Sequence, residues 1–465
     1  MKRLVAEIGD WVENRTGLVG ALHHFLYEEI PASSGWQQVF GSMALFLFMV
    51  QAFTGILLAF NYAPTPGEAY DSLRYILTEL TGGSLIRGLH HWGASMIIVV
   101  VVLHMVQVFL YGAYKKPRET TWMIGVVLFL VTLAYGLTGY LLPWDNRAYW
   151  GTTVTTQIAA MSPGVGAYLT QLLGAANGVG VVTFARFYAV HVLILPPATI
   201  LLVALHVYLV RKHGVAPEPG DELKPTKRFF PMQVFKDTVA IFLAFALLFV
   251  MAVAVHVPLE QVADPTDTSY IPRPEWYFLC LFQVLKLFNG PLEVVGAVVL
   301  PGLTVLALIL TPFLDRGRVV KVTRRFAAIG IVVLAAIGWS ALTMAAVRST
   351  PPQEAAADFS FPTDWMSLTP DQIATSTLPN IPAFVRQGAA VYQAKHCNAC
   401  HSVNGAGGKI GPVLNGLSKR QARSWVEDHF ADPQKLSPGT SMPPYPMSAQ
   451  DRDKLTSYLF SLPDQ

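Results

Sequence analysis

Long apolar runs alternate with shorter polar stretches along the first three quarters of the chain. A run of about 20 apolar residues is long enough to cross the hydrocarbon core of a membrane as a helix. Seven runs meet this length, and we name them segments A to G in chain order: 36–60, 89–112, 121–142, 186–210, 234–256, 294–314 and 326–347. The pattern predicts an all-α fold built on a polytopic membrane bundle of seven transmembrane helices.

The stretches between and around these segments differ in composition. The first 35 residues carry charges throughout, which argues against a cleavable signal peptide and fits an interfacial amphipathic helix or an ordinary surface helix. A proline-rich stretch without apolar periodicity follows segment G, and we interpret it as a linker to a soluble domain. The predicted parts are an interfacial segment 1–35, a four-helix part 36–212, a connecting loop 213–233, a three-helix part 234–348, a linker 349–382 and a C-terminal domain 383–465.

Composition agrees with a membrane protein that carries a smaller soluble part. Of 465 residues, 52% are hydrophobic and only 14% are charged. The net charge of +3 is too small to indicate nucleic-acid binding, so we expect no nucleic-acid partner. The three cysteines, Cys280, Cys397 and Cys400, are too few for a disulfide framework.

Loop charges predict the orientation in the membrane. Lys and Arg are concentrated before segment A and in the loops B–C, D–E and F–G, whereas the other loops carry few. Cytoplasmic loops are the ones enriched in Lys and Arg. We therefore expect a multi-pass protein of the bacterial inner membrane, with a cytoplasmic N-terminus and a periplasmic or otherwise extracytoplasmic C-terminal domain.

Segments B and D each contain two histidines at nearly the same spacing. His90 and His104 are fourteen residues apart, and His191 and His206 are fifteen apart. These spacings equal roughly 21 to 22 Å along a helix and return to one face within about 40° and 60°. If the two helices pack side by side, His90 faces His191 and His104 faces His206, the first pair near the outer side and the second near the cytoplasmic side.

Paired imidazoles inside a helix bundle are suited to holding haem iron from both faces. One histidine in an apolar helix is more often an ordinary core residue, but four at matching spacing favour ligands, because ionisable groups within a membrane are costly. Glycines repeat the same interval of fourteen residues in segments A and C. Because glycine allows close approach to a helix backbone, we expect macrocycle edges to lie against these segments, although helix packing alone explains one such pair. The glycines are Gly41, Gly55, Gly125 and Gly139.

A carboxylate follows segment E in the stretch Pro274-Glu275-Trp276-Tyr277. The apolar run after it, 278–288, is too short to span the membrane. A carboxylate flanked by aromatic residues at membrane depth binds protons more tightly than one in water, so Glu275 could accept a proton from a bound hydroxyl compound. An acidic residue after proline at the start of a helix is an equally good interpretation of the local sequence.

The C-terminal domain contains the motif CxxCH at Cys397, Cys400 and His401. In this motif two thiols bond haem covalently and the histidine binds its iron. Zinc is the alternative, but the chain has no second cysteine pair to complete a zinc site. The motif therefore predicts one c-type haem.

Several motifs resemble cytochrome b of the quinol:cytochrome c or plastocyanin oxidoreductases. They are the Pro-Glu-Trp-Tyr stretch, the histidine contexts LHHWGAS and AVHVL, TGYLLPW at 138–144, and Arg186-Phe187-Tyr188. The resemblance covers about 36–347 and is closest to the chloroplast-type branch, which shares the fifteen-residue histidine spacing and the Arg211-Lys212 ending of segment D. The C-terminal domain similarly resembles a class I cytochrome c, a small α-helical fold.

The resemblance implies roles for further residues. It places Glu275, Tyr140 and Tyr277 in an outer quinol-oxidation pocket. Arg87 and Arg186 are candidates to pair with haem propionates. A quinone site on the cytoplasmic side has weaker candidates, Arg211, Lys212 and Asp237, each of which is also explicable as an interfacial anchor. The stretch Thr440–Pro444 resembles the methionine loop of class I cytochromes c, which makes Met442 the sixth ligand of the c-type haem, with Met447 as competitor.

The same resemblance implies the cofactors and partners. We expect two non-covalent b-type haems and one covalent c-type haem, with quinol as substrate. The chloroplast-type branch binds a further haem through a cysteine at the position of Val39, so this chain should lack it. No Cys-His pair suited to a Rieske cluster occurs here, which implies a separate Rieske iron-sulfur subunit. A cytochrome c or terminal oxidase is the implied acceptor, the membrane lipid surrounds the chain, and a homodimer is implied.

The predicted activity is therefore that of a quinol:cytochrome c oxidoreductase subunit. One electron from quinol would cross the membrane through the two b-type haems, the other would pass through the Rieske protein to the c-type haem, and protons would be translocated. The alternative is a non-bifurcating dihaem conduit or membrane anchor for another dehydrogenase. An assembly scaffold without haem is a third hypothesis.

Overall fold

The computed structural model describes residues 2–221, 224–265, 270–318, 320–349, 363–376 and 381–463. The chain divides into two compact units. Unit 1 comprises Met1–Val257 and Pro265–Pro351, and unit 2 comprises Pro258–Asp264 and Pro352–Gln465. Both units are mainly helical, and the only strands among the described residues are four of two residues each.

Unit 1 contains fourteen α-helices among its described residues. They are α1 Lys2–Thr16, α2 Leu18–Leu26, α3 Val39–Ala59, α4 Ala69–Thr78, α5 Gly83–Tyr111, α6 Glu119–Tyr140, α7 Asn146–Ala160, α8 Gly166–Leu173, α9 Val181–Ala189, α10 Leu195–His213, α11 Met232–Ala254, α12 Leu279–Lys286, α13 Leu300–Leu314 and α14 Phe326–Ser349. Strands β1 Glu29–Ile30 and β2 Lys227–Arg228 pair antiparallel, joining the N-terminal segment to the connecting loop.

Seven helical spans are long and apolar enough to cross a membrane, which confirms the seven predicted segments. They are Trp36–Ala59, Gly83–Tyr111, Glu119–Tyr140, Val181–His213, Met232–Ala254, Gly290–Leu314 and Phe326–Ser349. The second begins six residues before predicted segment B, because the helix continues through Gly83–Gly88, where Arg87 interrupts the apolar run. The stretch Trp276–Lys286 is helical but too short to span, also as predicted.

Two of the spans contain a widened π-helical turn. In segment D this turn, Val190–Ile194, joins α9 to α10, and prolines follow at the start of α10. In segment F the turn Val295–Val299 precedes α13, which likewise starts with a proline. Proline has no backbone N–H to donate to the preceding turn, and a π turn accommodates the missing hydrogen bond within a continuous helix.

Helix pairs hold the core of unit 1 together. Helix α3 packs along α5, α11 packs against both, and α6 packs against α10. Leu47, Val100 and Leu248 form a buried cluster where α3, α5 and α11 meet. Large apolar side chains cover the outer faces, for example Leu201 at 71% exposure, as expected of a surface that lipid rather than water surrounds.

A buried charged cluster ties the loop after α5 to the loop after α13. The Asp315 carboxylate accepts hydrogen bonds from Tyr114 Oη, Lys115 Nζ and Arg325 Nη2, each at 2.5 Å. The Arg325 side chain is only 7% exposed and also donates to the Phe109 carbonyl at 2.6 Å. Each buried cation therefore has a charged partner, as a buried charge requires.

Unit 2 is a small helical domain. Its elements are α15 Pro370–Thr375, α16 Ala383–Ala394, β3 Ser402–Val403, β4 Ala406–Gly407, α17 Leu417–Arg420, α18 Arg423–Ala431, α19 Pro433–Leu436 and α20 Ala449–Phe460. Helix α16 crosses α20 at Gly388, where an added Cβ would lie 2.3 Å from the Lys454 carbonyl oxygen. The Tyr392 and Tyr458 rings, 6.2 Å apart, fill the crossing.

The stretch interpreted as a linker differs from that expectation. Residues Thr363–Ser367 form a short 3₁₀ helix and α15 follows it. Trp365 and Ile373 are completely buried in the same core as Tyr392 and Tyr458. Two buried side chains in a proline-rich stretch do not make a helical pattern that the sequence alone reveals. Their burial is nevertheless favourable, because a tryptophan removes a large apolar surface from water. Much of the predicted linker at 349–382 also lies outside the described residues.

Candidate cofactor and active site

The structure brings the four membrane histidines together in two pairs. The ring centroids of His90 and His191 are 6.4 Å apart, and those of His104 and His206 are 6.5 Å apart. Helix α5 supplies the first member of each pair, and the continuous span α9–α10 supplies the second. The rings are too far apart to stack, but the gap accommodates one metal atom with two imidazole bonds of about 2 Å.

Two threonines determine which ring nitrogen faces the gap in the first pair. Thr54 Oγ1 and Thr138 Oγ1 each lie 3.0 Å from Nδ1 of His90 and His191 respectively. Thr54 donates its hydroxyl proton to the Val50 carbonyl at 2.7 Å, and Thr138 donates likewise within its helix. Each hydroxyl oxygen can therefore only accept from its histidine, which assigns the proton to Nδ1 and leaves Nε2 free as a metal ligand.

The second pair has no such hydroxyl partners. His104 Nδ1 is buried and makes no hydrogen bond within the described part of the chain. His206 Nδ1 faces the backbone of Thr121 but does not reach hydrogen-bond geometry. A buried polar ring without a partner is costly, and binding a metal through its other nitrogen is one way in which the ring gains an interaction.

Each glycine of the predicted set faces one histidine ring. A Cβ added to Gly139 would lie 2.7 Å from His191 Cε1, and one added to Gly55 would lie 3.1 Å from His90 Cε1. At Gly125 and Gly41 the corresponding distances to His206 and His104 Cε1 are 3.4 and 3.5 Å. The glycines thus leave room for the histidine rings themselves, whereas the sequence predicted that they leave room for the edges of the macrocycles.

Glu275 lies in a pocket formed by the ends of two helices. Its Oε1 pairs with Arg147 Nη2 at 2.9 Å, and the two side chains are 16% and 21% exposed. Tyr140 Oη and Arg147 Nε both donate to the Arg273 carbonyl at 3.3 Å. The Tyr277 hydroxyl approaches helix α6 so closely that a Cβ on Gly136 would lie 2.7 Å from it. The predicted residues Glu275, Tyr140 and Tyr277 are therefore gathered at one site.

This carboxylate site and the first histidine pair share one turn of α6. Gly136 contacts Tyr277, while Gly139, three residues later, contacts His191. The Tyr135 ring also lies 5.4 Å from the His191 ring. Glu275 therefore belongs to the same end of the bundle as His90 and His191.

Burial raises the pKa of the Glu275 carboxyl above its ordinary value, and the Arg147 charge partly opposes this shift. The negative charge of Asp145, at the N-terminus of α7, adds to the increase. Tyr277 is neutral for the same reason, since burial raises the pKa of its hydroxyl. A carboxylate with raised proton affinity is able to accept a proton near neutral pH.

The two arginines expected near haem propionates occupy different environments. Arg87 is 6% exposed and donates to the Val257 carbonyl at 3.0 Å. Arg186 is exposed and donates to the carbonyls of Gln171 and, at 2.8 Å, Leu172. The guanidinium of Arg186 is thus anchored to the loop after α8.

The three candidates for a second quinone site also have separate partners. Arg211 forms an ion pair with Glu28 and lies 4.5 Å over the Phe25 ring. Asp237 accepts from Gln233 Nε2 at 3.0 Å. Lys212 is exposed. No described hydrogen bond or ion pair joins these three residues to one another.

In unit 2 the CxxCH motif is shaped around its histidine. His401 Nδ1 lies 2.9 Å from the Pro412 carbonyl, which can only accept, so Nδ1 carries the proton and Nε2 is free. A Cβ on Gly411 would lie 2.4 Å from His401 Cε1. Cys397 begins the short 3₁₀ helix Cys397–Ala399 and Cys400 follows it directly, next to His401. Met442 and Met447 both pack on the domain core.

Comparison with known proteins agrees with these features. Residues 29–214 match the family described as cytochrome b/b6/petB, 262–361 match cytochrome b(C-terminal)/b6/petD, and 385–463 match cytochrome c. A "Cytochrome bc complex cytochrome b subunit" of Chlorobaculum thiosulfatiphilum is 35% identical over 337 residues, which is 70% of this chain and 78% of that protein. The chain belongs to the cytochrome b family of cytochrome bc complexes. It is a multi-pass membrane subunit with a C-terminal cytochrome c domain.

Two other relatives of this cytochrome b match fewer than half of its residues, 221 and 212 respectively, and are themselves matched almost completely. A "Menaquinol:cytochrome c reductase cytochrome b subunit" of Bacillus subtilis is 39% identical and cytochrome b6 of Chlamydomonas reinhardtii is 36% identical, each covering 46% of this chain and 99% of the relative. A solved structure titled "Hyperthermophilic respiratory Complex III" has a TM-score of 0.66 at 32% identity, covering 74% of this chain and 92% of that one.

Membership of the cytochrome b and cytochrome c families implies that the chain binds haem. The residues present fit this cofactor, because both membrane pairs and His401 leave a ring nitrogen available and glycines clear the space beside the rings. Sequence reasoning missed Thr54, Thr138 and Arg147 as site residues. The threonines directly precede Gly55 and Gly139, which is a signal that could have found them.

Proposed function

We propose that this cytochrome b subunit oxidises quinol beside the His90/His191 pair, as part of a quinol:cytochrome c oxidoreductase. The observation that carries the proposal is the buried Glu275 carboxylate, whose neighbour Tyr277 contacts the same turn of α6 as His191. A proton acceptor next to a redox cofactor is what quinol oxidation requires, since quinol loses protons and electrons together. The name of the Bacillus subtilis relative supports a quinol as the substrate.

The residues of the pocket have distinct roles in this proposal. Glu275 accepts a proton from the quinol hydroxyl, which burial of the carboxylate favours. Tyr140 and Tyr277 form the walls, and their hydroxyls orient the quinol ring against α6. Trp276 anchors the segment by donating to Ser95 Oγ at 3.2 Å on α5.

We assign two b-type haems to the His90/His191 and His104/His206 pairs and one c-type haem to Cys397, Cys400 and His401, with Met442 as its sixth ligand. When bound, these haems supply one-electron chemistry, with one electron of quinol crossing the membrane and the other reaching the c-type haem through a separate Rieske protein. Arg87 is the better placed of the two arginines to meet a haem propionate, because it is buried.

The proposal includes an orientation and partners. The N-terminus is cytoplasmic and the cytochrome c domain lies outside the inner membrane of a bacterium, so protons from quinol are released outside. Arg211, Lys212 and Asp237 lie on the cytoplasmic side and are the candidates for a second quinone site. A homodimer and a cytochrome c or terminal oxidase acceptor complete the proposed assembly.

The decisive experiment is quinol:cytochrome c reduction by the purified complex carrying Glu275→Gln. Glutamine preserves the shape of the side chain but accepts no proton, so we expect a rate about 100-fold lower with unchanged haem spectra. The matched control is Glu293→Gln, which removes a carboxylate that accepts from Gly290 N at the start of the next span. An unchanged rate for Glu275→Gln would favour the non-bifurcating conduit instead.

A further inference from the structure

Arg147 is the cation that contacts the Glu275 carboxylate. The 2.9 Å pair between them is largely buried, with 21% and 16% of the two side chains exposed. Buried ion pairs are costly to form, because both groups lose their hydration. Because Glu275 is also the proposed proton acceptor, the Arg147 charge affects how readily the carboxylate takes up a proton.

The guanidinium of Arg147 is held in place by contacts other than Glu275. Its Nε donates to the Arg273 carbonyl at 3.3 Å, and its Cζ lies 5.6 Å from the centre of the Tyr140 ring. The backbone beneath it is the first turn of α7, which Asp145 caps by accepting from Ala148 N at 2.8 Å. Arg147 thus presents a fixed positive charge to the carboxylate.

We propose that Arg147 is a positioning residue for Glu275, which it holds ionised and aimed along one direction until the carboxylate accepts a proton. This inference rests on the proposed role of Glu275 in quinol oxidation. The proton step breaks a quinol O–H bond and forms an O–H bond on Glu275. Of the two electrons that quinol loses, one would go to the proposed Rieske subunit and the other to the haem that we assign to His90 and His191. Protonation removes the negative charge, so the attraction to Arg147 is lost and the carboxyl group is released.

Opposing influences act on Glu275, and their balance sets the pH at which it can accept a proton. Burial and the nearby Asp145 favour the protonated acid, whereas Arg147 favours the carboxylate. Tyr140 and Tyr277 also face the carboxylate, and His91 of α5 faces Arg147. Without Arg147, burial would be opposed by no contacting charge, and the pKa of the Glu275 carboxyl would rise further.

The test is the pH dependence of kcat/KM for quinol:cytochrome c reduction by the purified complex. Its acid limb reports the ionisation of the acceptor in the free enzyme. In Arg147→Gln the limb should move to higher pH by about 1–3 units, the usual effect of an adjacent opposite charge. Arg147→Lys keeps the charge but lacks the planar fork, so a smaller shift is expected.

Lys286→Gln is the matched control. Lys286 is an exposed cation in the same connection between spans, and it bonds to Ser349 rather than to Glu275. Its removal should leave the acid limb in place. An acid limb of Arg147→Gln that coincides with that of the parent complex would overturn the inference, because a purely structural arginine would change the rate without moving the limb.

A second readout makes the outcome independent of turnover. Infrared titration of the carboxyl C=O band, identified by its loss in Glu275→Gln, should show protonation at higher pH in the Arg147 variants. If Arg147→Gln fails to assemble, Arg147→Met, which also removes the charge, decides the question by the same band, and no shift in that variant overturns the inference. If Glu275→Gln leaves the rate unchanged, the proposed function fails. If Glu275→Gln is slow but the acid limb of Arg147→Gln stays in place, only the role of Arg147 fails.

Discussion

Substituting Gly139 by alanine tests the proposed haem site with a single methyl group. In a helix interior, alanine is more favourable than glycine by about 0.5–1 kcal/mol, so the change should not weaken α6 itself. The added Cβ would lie 2.7 Å from His191 Cε1, whereas ordinary contact begins at 3.4 Å. The His191 ring must therefore retreat by about 0.7 Å, the difference between these distances.

A displacement of this size is large for a metal ligand. Ligand distances in metal sites hold to about ±0.2 Å, so the ring cannot retreat and still bind with normal geometry. The same reasoning ranks the other three positions. Gly55, at 3.1 Å from His90, requires a retreat of about 0.3 Å, while Gly125 and Gly41, at 3.4 and 3.5 Å, require none. We expect haem loss in the order Gly139→Ala, then Gly55→Ala, with little effect at the other two.

The assay is the reduced-minus-oxidised optical spectrum of the purified variants, calibrated against total haem extracted per chain. The c-type haem serves as an internal standard, because the substitution lies in the other unit. Gly41→Ala is the control for adding a methyl group to a membrane helix beside a histidine. A full complement of b-type haem in Gly139→Ala would refute the assignment of His191 as a ligand.

Two further predictions concern the surroundings of the ligands. In Thr138→Val the His191 Nδ1 loses its hydrogen-bond acceptor at 3.0 Å. We expect about 10–100-fold weaker retention of one b-type haem, measured as haem content after detergent purification. Equal retention would show that the hydrogen bond is dispensable. In Met442→Ala the loss of thioether ligation should lower the midpoint potential of the c-type haem in a redox titration, whereas Met447→Ala should leave it unchanged, and the reverse result would exchange their roles.

The membrane fold was predictable because the lipid bilayer imposes a simple rule on the sequence. Each span needs about 20 apolar residues, and all seven emerged from that length alone. The pairing of His90 with His191 was predictable for a similar reason, since a spacing of fourteen or fifteen residues returns to one helix face. The first inference depends only on the rise per residue of a helix and the second only on its number of residues per turn, and tertiary contacts alter neither.

Contacts between segments distant in sequence were not predictable in this way. Arg147 and Glu275 are far apart along the chain, and no periodicity relates a residue after α6 to one after α11. The hydrogen bonds of Thr54 and Thr138 to histidines depend on how closely neighbouring helices approach, which glycine permits but does not specify. Trp365 was hidden for a related reason, because a single buried tryptophan in a proline-rich stretch leaves no pattern.

One turn of α6 links the chemistry proposed for the carboxylate site to the histidine pair beside it. Gly136 accommodates Tyr277, Gly139 accommodates His191, and Tyr140 shares the Arg273 carbonyl with Arg147. Because these contacts alternate within five residues, a movement of the turn cannot change one site without changing the other. The His104/His206 pair has neither the hydroxyl partners nor the tight glycine contact. The structure therefore constrains most strongly the pair that lies next to the proposed proton acceptor, where the relative placement of acceptor and cofactor matters for the reaction.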